Sequence, residues 1–254
     1  ARPPADPPPL LPFPPGGAQK RATGANPPPR TPAPAPQRAA KTHDSPHQHT
    51  PANELMVRII AGTRKGRVLA TPTGGTTRPT ADRVRQALFD VLAHAPWGGP
   101  SLLEDAHVLD AFAGTGALGL EALSRGAAHA VFFETDRPAL AALRANIHAC
   151  GWEERCHVYP RDVTNPPAAR ATPATLVFLD PPYHKGLPTK ALEVLAAKGW
   201  ITPSAIAVIE TGRDEPLPFT AEAESALPCA HTLLAERQHG AARLSIWQLA
   251  SGAA

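Results

Sequence analysis

The sequence predicts an α/β fold in which a mostly parallel β-sheet ends in an antiparallel hairpin. After residue 100, short apolar runs alternate with segments of helical periodicity, as they do in parallel-sheet proteins. The apolar runs end near Phe112, Glu134, Tyr159, Leu179 and Glu210, and the helical segments cover about residues 116–125, 138–149 and 188–199. Beyond the fifth run, residues 231–236 and 243–249 flank Gly240, a pattern that predicts the closing hairpin.

Three regions are expected along the 254 residues. Residues 1–55 form an arm rich in Pro and Ala, with 16 of the 32 prolines in residues 1–53, which predicts disorder or polyproline II. Residues 56–100 are expected to form an extension, with short strands at 56–60 and 66–70 and then a helix capped by Thr80. Residues 101–254 are expected to hold the main α/β domain.

A glycine-rich turn follows the first apolar run, in residues 108–119, which read VLDAFAGTGALG. A strand, a glycine turn and a helix in this order direct backbone N–H groups and a helix N-terminus toward a ligand. Residues 114–119 match G-x-G-x-x-G, and Glu134 lies 20 residues after Gly114, as in a dinucleotide site. A nicotinamide or flavin enzyme is therefore one interpretation.

Asp110 favours a different ligand. Its carboxylate precedes the glycines and would repel a pyrophosphate, whereas it would attract the ammonium and sulfonium of S-adenosylmethionine. Glu134 could bind the ribose hydroxyls of either cofactor, and Asp162 with the Val163 amide could hold the adenine amino group. We therefore expect an S-adenosylmethionine site formed by the residues Asp110, Phe112, Gly114, Gly116, Glu134, Asp162 and Val163.

The tetrapeptide Asp180-Pro181-Pro182-Tyr183 follows the fourth apolar run. An acid and a main-chain carbonyl can each accept one N–H of a planar amine, and the Tyr183 ring offers a flat face for a base. The two prolines fix φ and restrict this geometry. On its own an Asp-Pro turn more often ends a strand, but after the glycine turn it predicts an amino-group methyltransferase with Asp180, Pro181 and Tyr183 at the reacting nitrogen.

Positive charge is concentrated ahead of residue 86. Residues 56–85 carry seven basic residues and one acid, although the whole chain has a formal net charge of only +3. This asymmetry suggests a phosphate-contacting extension on a more acidic body, with a solvated charged hairpin as the alternative. The expected contacts are Arg58, Arg64, Lys65, Arg67, Arg78, Arg83 and Arg85.

The remaining composition predicts an ordinary cytoplasmic protein. Cys150, Cys156 and Cys229 lack metal-ligand spacing, so idle or buried thiols are expected and no metal site is predicted. The first 50 residues have neither the apolar core of a secretory signal nor the serine content of a plastid transit peptide. No apolar run reaches the length of a membrane span.

From about Met56 to Leu249 the sequence resembles the RsmD-type methyltransferases, which modify a guanine N2 in 16S ribosomal RNA. The resemblance rests on residues 58–62 (RIIAG), 78–85 (RPTADRVR), 110–127 and 180–183. It implies a Rossmann-like class I fold, S-adenosylmethionine as methyl donor, and an assembled or partly assembled small ribosomal subunit as partner. Tyr183 stands where some members have Phe, and since both rings stack, the role is expected to be kept.

Other functions stay open at this point. A dinucleotide oxidoreductase and a non-catalytic RNA-binding or assembly factor are the alternatives from other classes. Among methyltransferases, the tetrapeptide also fits adenine N6 or cytosine N4 in DNA or RNA, and only the resemblance points to guanine N2.

Overall fold

The computed structural model describes residues 56–72, 79–219 and 231–249. Within them the helices are α1 (Pro79–His94), α2 (Ala117–Ser124), α3 (Arg137–Cys150) and α4 (Leu187–Ala197). The strands are β1 (His107–Asp110), β2 (His129–Phe133), β3 (Cys156–Tyr159), β4 (Ala174–Leu179), β5 (Ile201–Gly212), β6 (His231–His239) and β7 (Ala242–Leu249). Residues 1–55, for which disorder or polyproline II is predicted, and Cys229 lie outside the described residues.

The described strands form one sheet in the order β3-β2-β1-β4-β5-β7-β6. Strands β1 to β5 pair with one another in parallel, and β7 is antiparallel to both β5 and β6. The predicted parallel sheet with a C-terminal antiparallel hairpin is therefore confirmed. Strand order reverses between β1 and β4, the place where open α/β sheets bind their ligands.

The core lies on both faces of this sheet. Because successive strand residues point to opposite faces, Val108 belongs to one buried cluster and Leu109 to the other. The first cluster also contains Ile59, Phe89 and Leu120, from the extension and α2, and the second contains residues of α4. The extension thus packs on one face and α4 on the other, while the domain boundaries at 55 and 100 stay predictions.

The extension differs in detail from its predicted strands. A single antiparallel bridge pairs Arg58 with Val68, and a 3₁₀ turn covers Gly62–Arg64. The predicted hairpin is therefore present, with its pairing limited to this bridge and to hydrogen bonds such as those from the Ile59 N–H to the Arg67 carbonyl (2.9 Å) and from the Leu69 N–H to the Val57 carbonyl (2.8 Å). Helix α1 begins at Pro79, so Thr80 lies inside the helix and is not its cap.

Buried polar groups fix the extension to the body. The Glu121 carboxylate on α2 is 0% exposed and accepts hydrogen bonds from the N–H groups of Ile60 (2.7 Å) and Ala61 (3.1 Å). Its other partner is Arg125, with Nε at 2.7 Å. The turn at Gly62 packs so closely that a Cβ added there would lie 1.8 Å from the Ser124 carbonyl oxygen.

Asn146 on α3 connects the extension to the glycine turn. Its side chain accepts from the Ala70 N–H at 2.6 Å and donates to the carbonyls of Ala70 (3.1 Å) and Thr115 (3.0 Å). A buried amide with three such bonds holds both segments in one position. Among the residues that the structure describes, no helix has the length and apolar character to cross a membrane.

Candidate active site

The acidic residues predicted from strand ends lie along one edge of the sheet. Asp110 is the last residue of β1, Glu134 follows β2, and Asp180 follows β4, all at the carboxyl ends of parallel strands. Asp110 interacts electrostatically with both Glu134 and Asp180. The fold therefore brings these three carboxyl groups to the point where strand order reverses.

Asp110 is 1% exposed, and its Oδ2 accepts the Gly119 N–H at 3.0 Å. Burial raises the pKa of Asp110 to about 7, the Gly119 hydrogen bond opposes this rise, and the charge of Glu134 adds to it. Gly119 must be small, because an added Cβ would lie 2.4 Å from Cε1 of Phe132. A buried carboxyl group with a raised pKa is a candidate partner for a cation.

Glu134 is fixed by three main-chain N–H groups. Its Oε2 accepts from Gly114 at 2.7 Å, and its Oε1 accepts from Thr135 at 2.6 Å and Asp136 at 2.7 Å. Gly114 has φ 53°, and a Cβ added there would meet nothing within 4 Å, so there is open space beside the turn. The predicted contact of the Glu134 carboxylate with a ribose stays a prediction.

The other predicted cofactor residues have contacts within the protein. A Cβ on Gly116 (φ 82°) would lie 2.4 Å from Leu143, so this glycine allows α2 and α3 to approach. Phe112 is half-buried against the second core cluster, and Val163 is 2% exposed. Asp162 is exposed and accepts hydrogen bonds from the Thr164 N–H (2.8 Å) and hydroxyl (2.9 Å). Their contacts with a ligand stay predictions.

A cavity of about 530 Å³ opens beside Asp180. Its polar wall includes Asp180, Tyr183 and Glu210, and its apolar wall includes Leu88 on α1 and Leu118 on α2. The turn between β6 and β7 closes another side. A mostly apolar cavity with a few convergent polar groups is the usual form of a small-ligand pocket.

The Asp180 side chain faces this open cavity, whereas protein atoms surround it densely on its other sides. This surrounding protein raises the pKa of Asp180, and the negative charges of Glu210 and Asp110 raise it further. Asp180 is therefore a carboxylate that accepts a proton more readily than an ordinary aspartate.

Tyr183 is held by Glu210, a residue on β5 to which sequence analysis gave no role. The Tyr183 hydroxyl donates a hydrogen bond to Oε1 of Glu210. Burial and this carboxylate raise the pKa of Tyr183, so the hydroxyl keeps its proton and remains a donor. The only available signal was that Glu210 ends an apolar run, as Asp110 and Asp180 do.

Glu215 is a second residue that sequence analysis missed. Its two carboxylate oxygens accept the N–H groups of His184 (2.7 Å) and Gly212 (2.6 Å). His184 directly follows Tyr183 and has φ 61°, an uncommon conformation for a residue with a side chain. These two hydrogen bonds to the Glu215 carboxylate therefore connect the turn after Tyr183 to the end of β5.

Five of the predicted phosphate contacts are exposed in the extension and α1: Arg58, Arg64, Lys65, Arg67 and Arg83. Arg64 also donates from Nε to the Cys150 carbonyl at 2.9 Å and lies over the Trp152 ring. Exposed cations that are grouped in this way could contact the phosphates of a nucleic acid, and that contact stays a prediction. Arg78 lies outside the described residues.

Arg85 is placed differently from the exposed cations of the extension. Its side chain is 6% exposed and donates to the Arg58 carbonyl (2.6 Å) and to the Asp82 carboxylate (2.8 Å). Its Nε lies 3.9 Å from Glu121. Arg85 therefore joins α1 to the extension and also lines the cavity beside Asp180, and its contact with RNA stays a prediction.

Cys150 and Cys156 are buried thiols, and burial raises the pKa of each. Within the described ranges, no group of three or more His, Cys, Asp or Glu residues is placed to hold a metal ion.

Known proteins share both the sequence and the fold. The family described as "Conserved hypothetical protein 95" matches residues 57–247. Ribosomal RNA small subunit methyltransferase D of Escherichia coli is 39% identical over 162 residues, which cover 64% of this chain and 78% of that protein. The Haemophilus influenzae protein of the same name is 34% identical over 202 residues, covering 78% and 97%. The solved structure of yhhF from Escherichia coli has a TM-score of 0.64 at 34% identity, covering 77% of this chain and 99% of that one.

The strand order and the Asp-Pro-Pro-Tyr site at the end of β4 define a Rossmann-like methyltransferase of class I. The chain belongs to the "Conserved hypothetical protein 95" family, that of the RsmD-type methyltransferases. The resemblance found in the sequence is thus confirmed. This membership supports the methyl-donor interpretation over the dinucleotide one.

Proposed function

We propose that this protein transfers a methyl group from S-adenosylmethionine to the exocyclic N2 of a guanine in 16S ribosomal RNA. The observation that carries the proposal is the shared cavity of Asp180 and Tyr183, next to Asp110 and the glycine turn. Relatives named for methylation of small-subunit ribosomal RNA support the substrate.

The described residues fit S-adenosylmethionine. Open space lies beside Gly114, and the fixed Glu134 carboxylate borders it and can accept from ribose hydroxyls. The buried Asp110 offers negative charge to the ammonium group, and Asp162 with the Val163 amide would hold the adenine. When bound, the cofactor would supply an electrophilic methyl group on a positively charged sulfur.

The acceptor nitrogen needs help because its lone pair is delocalised into the guanine ring. Asp180 and the Pro181 carbonyl would each accept one N2 proton, which directs the lone pair out of the ring plane. The nitrogen gains the methyl group and loses one proton, which passes to Asp180 or to water. Catalysis is then mainly positioning and local electrostatics.

A guanine inside a helix cannot reach this cavity, so the base must be unpaired or extruded. Extrusion costs a few kcal/mol, and stacking on Tyr183 at about 1–3 kcal/mol offsets part of it. The exposed cations of the extension would hold the flanking phosphates of an assembled or partly assembled small subunit.

The test is transfer of tritiated methyl groups to small subunits from a strain that lacks the endogenous enzyme. We expect the wild-type protein to label 16S RNA, and the isosteric variant Asp180→Asn to lose at least about a hundredfold in rate. Cofactor affinity, measured by calorimetry, should stay within about tenfold in the variant, because Asp180 contacts the acceptor.

Two results would contradict the proposal. Equal loss of cofactor binding and transfer in Asp180→Asn would make Asp180 a structural residue. Specific RNA binding by the wild-type protein without any label would favour a non-catalytic assembly factor.

A further inference from the structure

Glu210 is a second carboxylate in the cavity that contains Asp180 and Tyr183. It projects from β5, where it pairs with Leu244 of β7, so its backbone belongs to the rigid sheet. The side chain is half-buried, and Oε1 accepts the Tyr183 hydroxyl. A carboxylate has about four lone-pair sites, so one bond from Tyr183 leaves Glu210 able to accept further donors.

Asp180 and Glu210 are close enough that their charges interact. Tyr183 lies beside both, since it follows Asp180 by three residues and bonds to Glu210 through its hydroxyl. A base stacked on the Tyr183 ring would therefore present its edge to two carboxylates rather than one. The bond from Tyr183 also fixes the direction of Glu210 relative to the stacking face.

Two neighbouring carboxylates match the donor pattern of guanine. Its Watson–Crick edge carries the N1–H next to the N2 amino group, so adjacent ring and exocyclic nitrogens both donate. Adenine and cytosine place an unprotonated ring nitrogen beside the amino group, and this lone pair would face a carboxylate. A site built to accept a donor rejects an analogue that lacks it, because the buried acceptor is left unpaired.

The geometry points to Glu210 as the specificity-determining residue, which accepts the guanine N1–H while Asp180 accepts from N2. This inference rests on the proposed function and deepens it, since it gives a physical reason for guanine over the other amino-bearing bases. Tyr183 then has two roles: its ring stacks on the base, and its hydroxyl orients the carboxylate that reads the base.

The test compares guanine with 2,6-diaminopurine, which keeps the N2 amino group but has an unprotonated N1. Small subunits are reconstituted with 16S RNA that carries either base at the mapped target, introduced by ligation of RNA segments. We expect wild-type kcat/KM to favour guanine by about tenfold or more. In Glu210→Gln the amide N–H₂ can donate to N1 of 2,6-diaminopurine, so the preference should fall by about tenfold or reverse.

Tyr183→Phe is the matched control, because it removes the hydroxyl and keeps the Glu210 carboxylate. Its kcat/KM ratio between the two bases should fall by less than that of Glu210→Gln, because the carboxylate remains and loses only the bond that orients it. If Glu210→Gln and Tyr183→Phe lower both rates and leave the ratio unchanged, Glu210 only positions Tyr183 and the inference is overturned.

The wild-type kcat/KM ratio of guanine to 2,6-diaminopurine tests whether N1 is read, even if Glu210→Gln does not fold. Equal rates on guanine and 2,6-diaminopurine would mean that N1 is not read, which overturns the inference but leaves guanine N2 methylation intact. No transfer to either substrate would instead overturn the proposed function, and the inference with it.

Discussion

The N–H of Gly119 donates to the carboxyl group of Asp110 across 3.0 Å, which ties the first turns of α2 to the end of β1. The same carboxyl group is buried and interacts with the charges of Glu134 and Asp180. One residue thus contributes both to the packing of the glycine turn and to the electrostatics of the site.

Asp110→Asn should change how stability depends on pH. The pKa of Asp110 is about 7 in the folded chain against an ordinary aspartate value of 3.8, so between these pH values the folded state binds a proton that the unfolded state has lost. Its contribution to the free energy of unfolding therefore falls as pH rises, by at most about 1.4 kcal/mol per pH unit. Asparagine still accepts from Gly119 but does not titrate.

Urea unfolding of both proteins at several pH values between about 4 and 7 measures this effect. The stability curve of the variant should be flatter, because residue 110 no longer titrates and the raised pKa of Asp180 loses the part that the Asp110 charge contributes. Parallel curves would mean that Asp110 is ionised throughout this range.

Glu121→Ala should loosen the extension from the body. The change leaves the N–H groups of Ile60 and Ala61 without their acceptor and leaves Arg125 without its 2.7 Å partner. We expect a loss of about 3–5 kcal/mol in the free energy of unfolding, because a buried ion pair is broken. Glu104→Ala, at an exposed position, is the control and should change stability by less than about 0.5 kcal/mol.

Hydrogen exchange should locate the effect of Glu121→Ala. Faster exchange is expected first at the amides of residues 57–69, with the strands of the sheet less affected. Uniform acceleration across the chain would show that Glu121 supports the whole fold and not this attachment.

Replacement of Arg64, Lys65 and Arg67 by Gln should weaken RNA binding and reduce its salt dependence. Each lost phosphate contact removes roughly 0.7–0.9 from the slope of log K against log salt concentration. The matched control replaces Arg170, Lys190 and Lys198, exposed cations on or beside α4, which packs on the opposite face of the sheet. Equal slopes for the two triple variants would remove the extension from the RNA interface.

Glu210→Gln should move the pH dependence of transfer. Asp180 must be ionised to accept from the amine, so kcat/KM should rise as pH increases through its raised pKa. Removal of the Glu210 charge takes away one cause of that rise, and the ascending limb should shift to lower pH by up to about one unit. If the ascending limb of the kcat/KM profile stays at the same pH while the maximum of kcat/KM falls, the charge of Glu210 does not act on Asp180.

Sequence periodicity was sufficient to predict β1 to β5, α2 to α4 and the closing hairpin, because buried strands and amphipathic helices leave local patterns. It could not place β7 between β5 and β6, since the order of strands depends on contacts far apart along the chain. The hairpin predicted around Gly62 is present, but its pairing is short for a related reason. The close approach of Gly62 to Ser124 shapes that segment more than its own strand propensity does.

The candidate site, like the fold, was predictable only in part. Asp110, Glu134 and Asp180 were predictable, because each follows an apolar run in a recognisable motif. Glu210 belongs to no motif and gains a role only through the Tyr183 hydroxyl. In the sequence, nothing distinguishes Arg85 from an exposed arginine. Only its contacts with Asp82 and Arg58 show that it is buried.

The most direct test of the account is the chemical identity of the product nucleoside. Unmodified small subunits are treated with the protein and S-adenosylmethionine, the 16S RNA is digested, and the nucleosides are separated by chromatography and mass spectrometry. The account predicts N2-methylguanosine, absent when Asp180→Asn replaces the wild-type protein. N6-methyladenosine or N4-methylcytidine in its place, or no methylated nucleoside at all, would contradict it.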